Sequence, residues 1–469
     1  MPSDLRGAIV KPLIKKPSLD RDNLKNYRPV SNLAYLGKLI ESVVIEEIDA
    51  HIYNNHLHEP LQSAYTPNHS TETAVIRVYN DILCALDHRQ CVYLVLLDLS
   101  AAFDTIDHQV FLSRLQKDYG VKGDVTDWMA SYLSDRHQTI DINGTFSEKL
   151  LLKYGFPQGS KIGPFGFKLY TKPLTSIAKK HNIQIHLYAD DTQLYTSFDP
   201  ENSSQAIKRI EDCIVDIRLW MAQNCLKLND SKTEFIIFGS EWDLERVENR
   251  SVRVGESIVL PSKSVRNIGA MLDSTLTMET HINSIIKSCY FQIRSISKIR
   301  KYLTIDATKS LTHAFVTSRL DNMNALLYKI PDCQIKKLER IQKHAARIIM
   351  MQKKSSEITP FLIKLHWLPI PFRFEYKILL QVYKCLHGKG PEYLSELLEE
   401  YRPPLNLRST NRYRPLQVPA TKKGYGDRAF SVAGPTLWKA LPDSIRKSPS
   451  VDSFKKALKT FYFKKAYNS

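Results

Sequence analysis

Cysteine is scarce in this chain and never paired. The 469 residues include seven cysteines, and none of them forms a Cys-x-x-Cys spacing. A zinc knuckle or a disulfide framework would need closely spaced or evenly matched cysteines, so the sequence indicates neither. Isolated thiols are typical of a reducing compartment, which leaves the cytoplasm and the nucleus as alternatives for an intracellular protein.

Long apolar runs are missing as well. No stretch approaches the about 18 apolar residues of a membrane-spanning helix, so we expect no membrane partner. The first residues, Met1-Pro-Ser-Asp-Leu-Arg6, lack the apolar core of a signal peptide. We also find no internal repeat and no low-complexity tract.

Acidic residues are depleted in one half of the chain only. Residues 1–240 carry 29 acidic and 26 basic side chains, whereas residues 241–469 carry 20 acidic and 40 basic ones. The whole chain has a formal charge of +17. Such asymmetry indicates a polyanionic partner, nucleic acid ahead of an anionic membrane. The alternative is a basic surface that serves solubility alone.

Hydrophobic periodicity outlines the secondary structure. Apolar residues recur at helical spacing in five stretches of the first half. The predicted helices cover 36–54, 71–87, 108–118, 124–134 and 204–223. Ser70 and Thr71 are candidate caps of the second helix and Asp107 of the third. Beyond about residue 276 the pattern is helical, with proline-rich interruptions near 367–372 and 402–415.

Two strand patterns carry carboxylates. Residues 92–97 form an apolar run typical of a strand buried on both faces, and Asp98 follows it directly. Residues 183–196 predict a hairpin with Asp190 and Asp191 at its turn. Adjacent carboxylates cannot be buried without partners, because a desolvated unpaired charge is costly. Divalent metal ions would supply those partners, and hard Mg²⁺ suits carboxylate and phosphate oxygens. The alternative is that aspartate is simply common at turns.

Two further segments complete the pattern. Between the carboxylate strands lies Gly155-Phe-Pro-Gln-Gly-Ser160, whose glycines and proline allow a close backbone approach to a ligand. Residues 226–239 predict a second hairpin, turning at Asp230-Ser231.

These motifs together resemble the catalytic blocks of reverse transcriptases, in order and in separation. The style resembles the non-LTR (LINE) branch, including jockey-like elements. The resemblance rests on Asn26–Leu33, Gln62–Tyr65, His69–Ala74, Leu97–His108, Gly155–Ser160, Tyr188–Asp191 and Leu228–Gly239, with His366–Pro369 and Gly426–Val432 near the end.

The resemblance implies an α+β fold of the right-hand polymerase type. We expect fingers and a palm with an antiparallel sheet over 1–275, a helical thumb-like region over 276–355, and a basic C-terminal region over 356–469. The elements that it resembles usually carry an endonuclease domain upstream. The chain begins at the fingers, so we expect nicking of a DNA target to need a separate endonuclease.

The resemblance also assigns site residues. Asp98, Asp190 and Asp191 match the catalytic, metal-binding aspartates, with two Mg²⁺ or Mn²⁺ ions as cofactors. The matching dNTP-binding positions are Arg28, Leu99, Phe103, Gln158 and Gly159. Lys232 matches a lysine proposed as general acid toward pyrophosphate, its alternative being a salt-bridged turn lysine. Phe103 matches the aromatic that crowds the sugar 2′ position, its alternative being an ordinary core residue. His108 is interpreted as structural.

Nucleic-acid contacts are expected in the basic helices beyond residue 276. Arg294, Lys298, Arg300 and Lys301 cluster on one of them. The expected partners are an RNA template, a DNA primer or target, and dNTPs. The predicted function is RNA-directed DNA synthesis from dNTPs onto a primer 3′-hydroxyl. The alternatives are a viral RNA-dependent RNA polymerase, a group II intron maturase, or a catalytically decayed or host-adopted nucleic-acid-binding protein of the same fold.

Overall fold

The structure is a computed structural model that describes residues 1–100, 102–401 and 413–467. In these residues the chain is α+β, as predicted. Helices of the first 275 residues are α1 (Tyr35–Asn54), α2 (Thr71–Asp87), α3 (His108–Tyr119), α4 (Asp124–Leu133), α5 (Ile162–Tyr170), α6 (Pro173–Lys180), α7 (Ser203–Gln223) and α8 (Glu241–Glu245). The strands are β1 (Gly7–Ile14), β2 (Tyr27–Asn32), β3 (Cys91–Leu97), β4 (Leu99–Ser100), β5 (His137–Ile142), β6 (Thr145–Phe146), β7 (Leu150–Leu151), β8 (Gln184–Tyr188), β9 (Asp191–Phe198), β10 (Lys227–Leu228), β11 (Glu234–Phe238), β12 (Val252–Val254), β13 (Ser257–Val259), β14 (Ser264–Asn267) and β15 (Ala270–Asp273).

A four-stranded antiparallel sheet in the order β11-β3-β9-β8 lies at the centre of the first half. Strand β3 is buried on both faces, as its apolar run predicts. Val92 and Leu94 point into one hydrophobic core, while Tyr93 and Val95 point into another. The alternation follows from the two-residue period of a strand. Strand β3 is thereby fixed on both faces, which holds its C-terminal end in place.

A second sheet is built from the N-terminal strands. Strand β1 pairs antiparallel with β2 and parallel with β5. Strands β6 and β7 both pair with β5. This sheet carries Arg28 on β2, opposite Leu13 of β1.

The predicted hairpin over 226–239 is wrong. Strand β10 pairs with β4, and β11 pairs with β3 on the main sheet. A short 3-10 helix, Asp230–Lys232, connects them. Both segments have the pattern of a hairpin strand, but they pair with β4 and β3, the two strands on either side of Asp98. Tertiary pairing therefore overrides the local turn signal.

The chain after residue 275 is helical, as predicted. Its helices are α9 (Glu279–Ile299), α10 (Ile305–Thr312), α11 (Ser318–Asp321), α12 (Asp332–Met350), α13 (Thr359–Lys364), α14 (Ile370–Leu386), α15 (Glu392–Ser395), α16 (Phe430–Ala440), α17 (Asp443–Arg446) and α18 (Val451–Tyr467). One hydrophobic core joins Leu338 of α12, Leu379 of α14 and Trp438 of α16 with Val78 of α2. We call it the helical core, and the core on the other face of β3 the palm core.

The predicted limits of the three regions remain predictions. The helical core crosses the limit at 355/356 without interruption. The proline-rich interruption near 402–415 lies mostly outside the described residues. Among the helices that are described, none is long and apolar enough to cross a membrane.

Candidate active site

Asp98 stands where the central strand β3 ends. Its backbone carbonyl accepts a hydrogen bond from the Asn229 amide at 2.8 Å. Its carboxylate lies 2.9 Å from Lys232 Nζ and 3.4 Å from Asn229 Nδ2. The side chain is partly exposed. Thus the backbone of Asp98 is anchored by the segment before β11, while its carboxylate faces an open cleft.

Asp190 and Asp191 occupy the turn between β8 and β9. The strands pair Tyr188 with Asp191, and Ala189 adopts a left-handed conformation with φ 55°. Leu97 is opposite Thr192 on the neighbouring strand. Asp98 follows Leu97 and Asp191 precedes Thr192, so the register brings these two aspartates to the same edge of the sheet.

The three carboxylates repel one another. Desolvation is the first cause that raises the pKa of Asp190, and the charge of Asp98 raises it further, against opposing effects of Arg28 and Lys232. Desolvation, followed by the charges of Asp190 and Asp98, raises the pKa of Asp191 to about 6. Negative charge thus accumulates in this cleft beyond what its basic neighbours offset.

This donor set fits divalent metal ions. Hard cations bind carboxylate oxygens, and a cation would relieve the mutual repulsion that raises both pKa values. Within the described ranges, no three His, Cys, Asp or Glu side chains already converge in the arrangement of a metal site. The observation that supports a metal here is therefore the charge of the three aspartates.

The loop Gly155–Ser160 packs against the N-terminal sheet and the segment after Asp98. Gly155 has φ 79°, and a Cβ there would lie 2.6 Å from the Phe103 carbonyl oxygen. Gly159 has φ 130°, and a Cβ there would lie 2.6 Å from the Ser31 carbonyl oxygen. The Ser31 amide donates to the Gln158 carbonyl at 2.7 Å. Both glycines therefore permit a close approach of backbone to backbone.

The predicted nucleotide-binding residues lie around this loop. Gln158 Nε2 donates to both carboxylate oxygens of Asp104, at 2.9 and 3.1 Å. Phe103 is half-buried, with its ring centroid 4.8 Å from that of Phe167. Leu99 is buried and pairs with Leu228 of β10, directly after Asp98.

The two cations assigned to the triphosphate and pyrophosphate approach from different elements. Arg28 is exposed on β2, within the electrostatic range of Asp190. Lys232, 63% exposed, forms an ion pair with Asp98. The structure thus has Lys232 in the salt-bridged arrangement that was its alternative role, at the edge of the carboxylate cleft.

The capping roles predicted nearby are confirmed for Asp107 and Ser70 but not for Thr71, and His108 makes a structural contact. Asp107 accepts hydrogen bonds from the Gln109 and Val110 amides and caps α3. His108 Nε2 lies 2.8 Å from the Gly155 carbonyl oxygen, where it helps to hold the loop. Ser70 caps α2, whereas Thr71 is its first helical residue.

The four cations predicted to contact nucleic acid separate into two groups. Arg294, Lys298 and Lys301 are exposed. Arg300 does not belong with them, because it is only 8% exposed. Its guanidinium donates to the carbonyls of Ile348, Ile349 and Leu303, at 2.7–2.9 Å. Arg300 therefore serves the C-terminal end of α12 rather than a surface.

A hairpin that sequence reasoning left without a role also lines the cleft. A cavity of about 430 Å³ is lined by Asp98, Asp191 and Lys232 together with Arg266 of β14. The neighbouring Asn267 is buried and donates to Gln193 Oε1 on β9 at 2.7 Å. The Ile268-Gly269 turn between Val265 and Leu272, which pair across the two strands, was the signal that could have found this hairpin.

Carboxylates on a strand end and on an adjacent hairpin of an antiparallel sheet are the arrangement expected of the palm in a right-hand polymerase fold. The profile of the family described as reverse transcriptase (RNA-dependent DNA polymerase) matches residues 14–272. The chain belongs to this family.

The relatives identify the branch that the motifs indicated, the jockey-like non-LTR elements. The probable RNA-directed DNA polymerase from transposon BS of Drosophila melanogaster is 26% identical over 312 residues, 64% of this chain and 33% of the relative. The RNA-directed DNA polymerase from mobile element jockey of Drosophila funebris is 23% identical, over 63% of this chain and 32% of the relative. The chain spans about a third of the length of these relatives.

A solved structure of similar architecture is the apo telomerase from Candida tropicalis. It matches with a TM-score of 0.45 and 12% identity over 79% of this chain and 63% of that one.

Proposed function

We propose that this chain synthesises DNA on an RNA template, transferring nucleotides from dNTPs to a primer 3′-hydroxyl. The observation that carries the proposal is the meeting of Asp98 with Asp190 and Asp191 at one edge of the antiparallel sheet. Three neighbouring carboxylates in an open cleft, two of which (Asp190 and Asp191) have raised pKa values, suit metal-dependent phosphoryl chemistry better than a structural role.

Two Mg²⁺ or Mn²⁺ ions would bind to these aspartates. Bound there, they would activate the primer hydroxyl and stabilise charge on the leaving pyrophosphate. The protein itself contributes position and charge. Asp98 is anchored through its backbone and the paired aspartates through a tight turn, so the backbone that carries these carboxylates is in place before the reaction.

The dNTP would lie between the loop and the cleft. Arg28 offers a planar guanidinium that suits a triphosphate. The backbone at Leu99 would line the triphosphate, and the Gln158–Gly159 segment would pack on the templating pair. Phe103 is held by the bond from the Phe156 amide to its carbonyl, at 2.9 Å. A ring fixed there would exclude a ribose 2′-hydroxyl and favour deoxynucleotides. Lys232 would donate a proton to pyrophosphate after release from Asp98.

Template and primer would contact the exposed end of α9. Beside Arg294, Lys298 and Lys301 stand two exposed aromatic rings, Phe291 at 67% and Tyr302 at 77% exposure. Cations combined with open aromatic faces are typical of surfaces that bind nucleic-acid backbone and stack on bases. Arg266, across the cleft from Asp98, would contact the primer strand near its 3′ end.

The test is primer extension on an RNA template with dNTPs and Mg²⁺, comparing the parent chain with Asp190→Asn. Asp199→Asn is the matched control, since Asp199 follows the opposite end of the same strand β9. We expect extension by the parent and the control, and none by Asp190→Asn. If neither parent nor variant extends the primer while both bind it in a salt-sensitive manner, the fold is retained without catalysis.

A further inference from the structure

A buried chain of polar side chains connects the C-terminal region with the strand that leads into the catalytic turn. His186 on β8 is fully buried, with Nε2 2.8 Å from Ser63 Oγ. Ser63 Oγ lies 2.8 Å from the hydroxyl of Tyr393, on α15. That hydroxyl lies 3.1 Å from Thr73 Oγ1, in the capping box of α2. Tyr393 is thus the junction between the sheet and α2.

The donor and acceptor of each hydrogen bond in this series of side chains can be assigned. Thr73 donates its hydroxyl hydrogen to the Ser70 carbonyl at 2.9 Å, so it accepts from Tyr393. Tyr393 then accepts from Ser63, and Ser63 accepts from His186 Nε2–H. Burial lowers the pKa of His186 to about 3, so the ring is neutral, and this order places its one N–H hydrogen on Nε2. Each hydroxyl donates once, so removing the Tyr393 hydroxyl leaves Ser63 without an acceptor.

The segment that carries Ser63 is bound to the catalytic hairpin by its backbone. The Ser63 amide donates to the Leu187 carbonyl, and the Leu187 amide donates to the Leu61 carbonyl, both at 2.9 Å. Gln62 Oε1 accepts from the Ala189 amide at 3.1 Å. Ala189 is the residue directly before Asp190. Residues 61–63 therefore cover the outer edge of β8 and support the turn that follows it.

Tyr393 is fixed from the other side as well. Its carbonyl accepts from Arg77 Nη1 of α2 at 2.8 Å. Its ring stands edge-on to His186, with centroids 4.9 Å apart, and to His69, with centroids 5.4 Å apart. The C-terminal region thereby reaches the palm through a buried and rigid contact.

We infer that Tyr393 is a positioning residue for Asp190 and Asp191, acting through Ser63 and the segment 61–63. The C-terminal region then has a role in the polymerase site in addition to any contact with nucleic acid. The catalytic meaning of this inference rests on the proposed function, whereas the mechanical support of the hairpin does not.

The decisive variant is Tyr393→Phe, which keeps the ring contacts and removes only the hydroxyl. Tyr383→Phe is the matched control. Tyr383 is equally buried in the same region, donates its hydroxyl to the Ser448 carbonyl, and stacks on Phe454 of α18. Two quantities are measured in the full chain: hydrogen exchange of the Leu187 and Ala189 amides, and the Mg²⁺ concentration that gives half-maximal primer extension.

Tyr393→Phe should accelerate exchange at both amides by roughly tenfold, because local opening of the strand edge becomes easier. It should also raise the half-saturating Mg²⁺ concentration by roughly tenfold, the usual effect of losing a residue that supports metal ligands. Tyr383→Phe should change neither quantity. Unchanged exchange in Tyr393→Phe, or equal acceleration in the control, would overturn the inference. If the parent does not extend primers, the proposed function fails, and the exchange data still decide whether Tyr393 supports the hairpin.

Discussion

At the scale of single residues, the ionisation of Asp191 makes the stability of the folded chain depend on pH. Its pKa is raised to about 6 in the folded chain from an ordinary value of 3.8. The folded state then binds protons more tightly than the unfolded state between about pH 4 and 6. Ionisation of Asp191 therefore lowers stability as the pH rises through this window.

We predict that Asp191→Asn, without added metal, is more heat-stable than the parent above pH 7 and no different at pH 4. Asp191 is exposed, so solvent screening limits the gain to below about 1 kcal/mol. For a chain of this size that corresponds to roughly 1–2 °C in melting temperature. Scanning calorimetry at both pH values measures it, with the exposed Glu256→Gln as control. A gain of equal size at pH 4 would contradict the electrostatic cause.

The Gly159 backbone gives a prediction that involves no charge. In Gly159→Ala the new methyl group meets the Ser31 carbonyl oxygen at 2.6 Å, in a backbone conformation that side chains rarely adopt. We expect a loss of about 1–3 kcal/mol in the free energy of unfolding, measured by urea titration. Gly7→Ala in β1 is the control, since a Cβ at Gly7 has no atom within 4 Å. Equal effects at the two positions would show that the loop can shift away from β2.

The residues that sequence patterns located best are those with a local signature. An apolar run ending in Asp98 and an alternating hairpin around Asp190 and Asp191 predicted their elements correctly. Arg266 was missed, because its approach to the cleft depends on the docking of Asn267 against Gln193, 74 positions away. Tyr393 was missed for the same physical reason: no local pattern encodes a contact with Ser63.

At the scale of elements, the five helices predicted in the first half all form, whereas α5, α6 and α8 were not predicted. The prediction of buried helix faces was less complete. Helix α1 begins within one residue of the predicted 36–54. Yet its apolar residues Leu36, Leu39 and Val43, which recur at helical spacing, are exposed, whereas Ile48 is buried. Periodicity determines that a helix forms but not how much of its apolar face finds a partner. The 226–239 segment shows the converse, since its strands form without pairing with each other.

The end of α9 supports a prediction that separates structural from surface cations. Arg300→Ala should lower the free energy of unfolding by about 2–4 kcal/mol, because buried carbonyls of α12 lose their donors. Lys298→Ala should stay within about 0.5 kcal/mol of the parent. Urea titration gives both values.

Nucleic-acid binding should separate the same two variants the other way round, with Lys298→Ala affected and Arg300→Ala unaffected. Lys298→Ala should weaken binding to an RNA–DNA duplex and reduce the slope of log affinity against log salt by about 1, as for one lost phosphate contact. Arg300→Ala, measured well below its melting temperature, should keep the parent slope. If the slope of log affinity against log salt fell in Arg300→Ala alone, Arg300 rather than Lys298 would be the residue that contacts the nucleic acid.

At the scale of the whole molecule, the two cores determine which parts of the chain depend on each other. The palm core is complete within the first 275 residues, whereas the helical core combines α2 and β3 with helices from both sides of residue 355. Asp87 at the end of α2 adds a polar link. Its carboxylate accepts from the Lys422 and Lys423 amides at 2.7 Å and from the Gly426 amide at 3.1 Å. Composition and charge could indicate a basic C-terminal region but not this attachment, because the attachment consists of contacts between residues more than 300 positions apart.

We therefore predict that a chain ending at residue 355 does not fold as an independent polymerase. Helices α14 and α16 now cover Val78 on α2 and Leu338 on α12, so their removal would expose these two apolar residues. Large exposed apolar patches favour association. The truncated chain should run as aggregates in size-exclusion chromatography, bind the dye ANS, and lose primer extension. Supplying residues 356–469 as a second chain should restore a soluble complex, because the missing core residues return. A soluble, active 1–355 monomer would instead show that the C-terminal region is a separable domain, and that Tyr393 is dispensable for the catalytic hairpin.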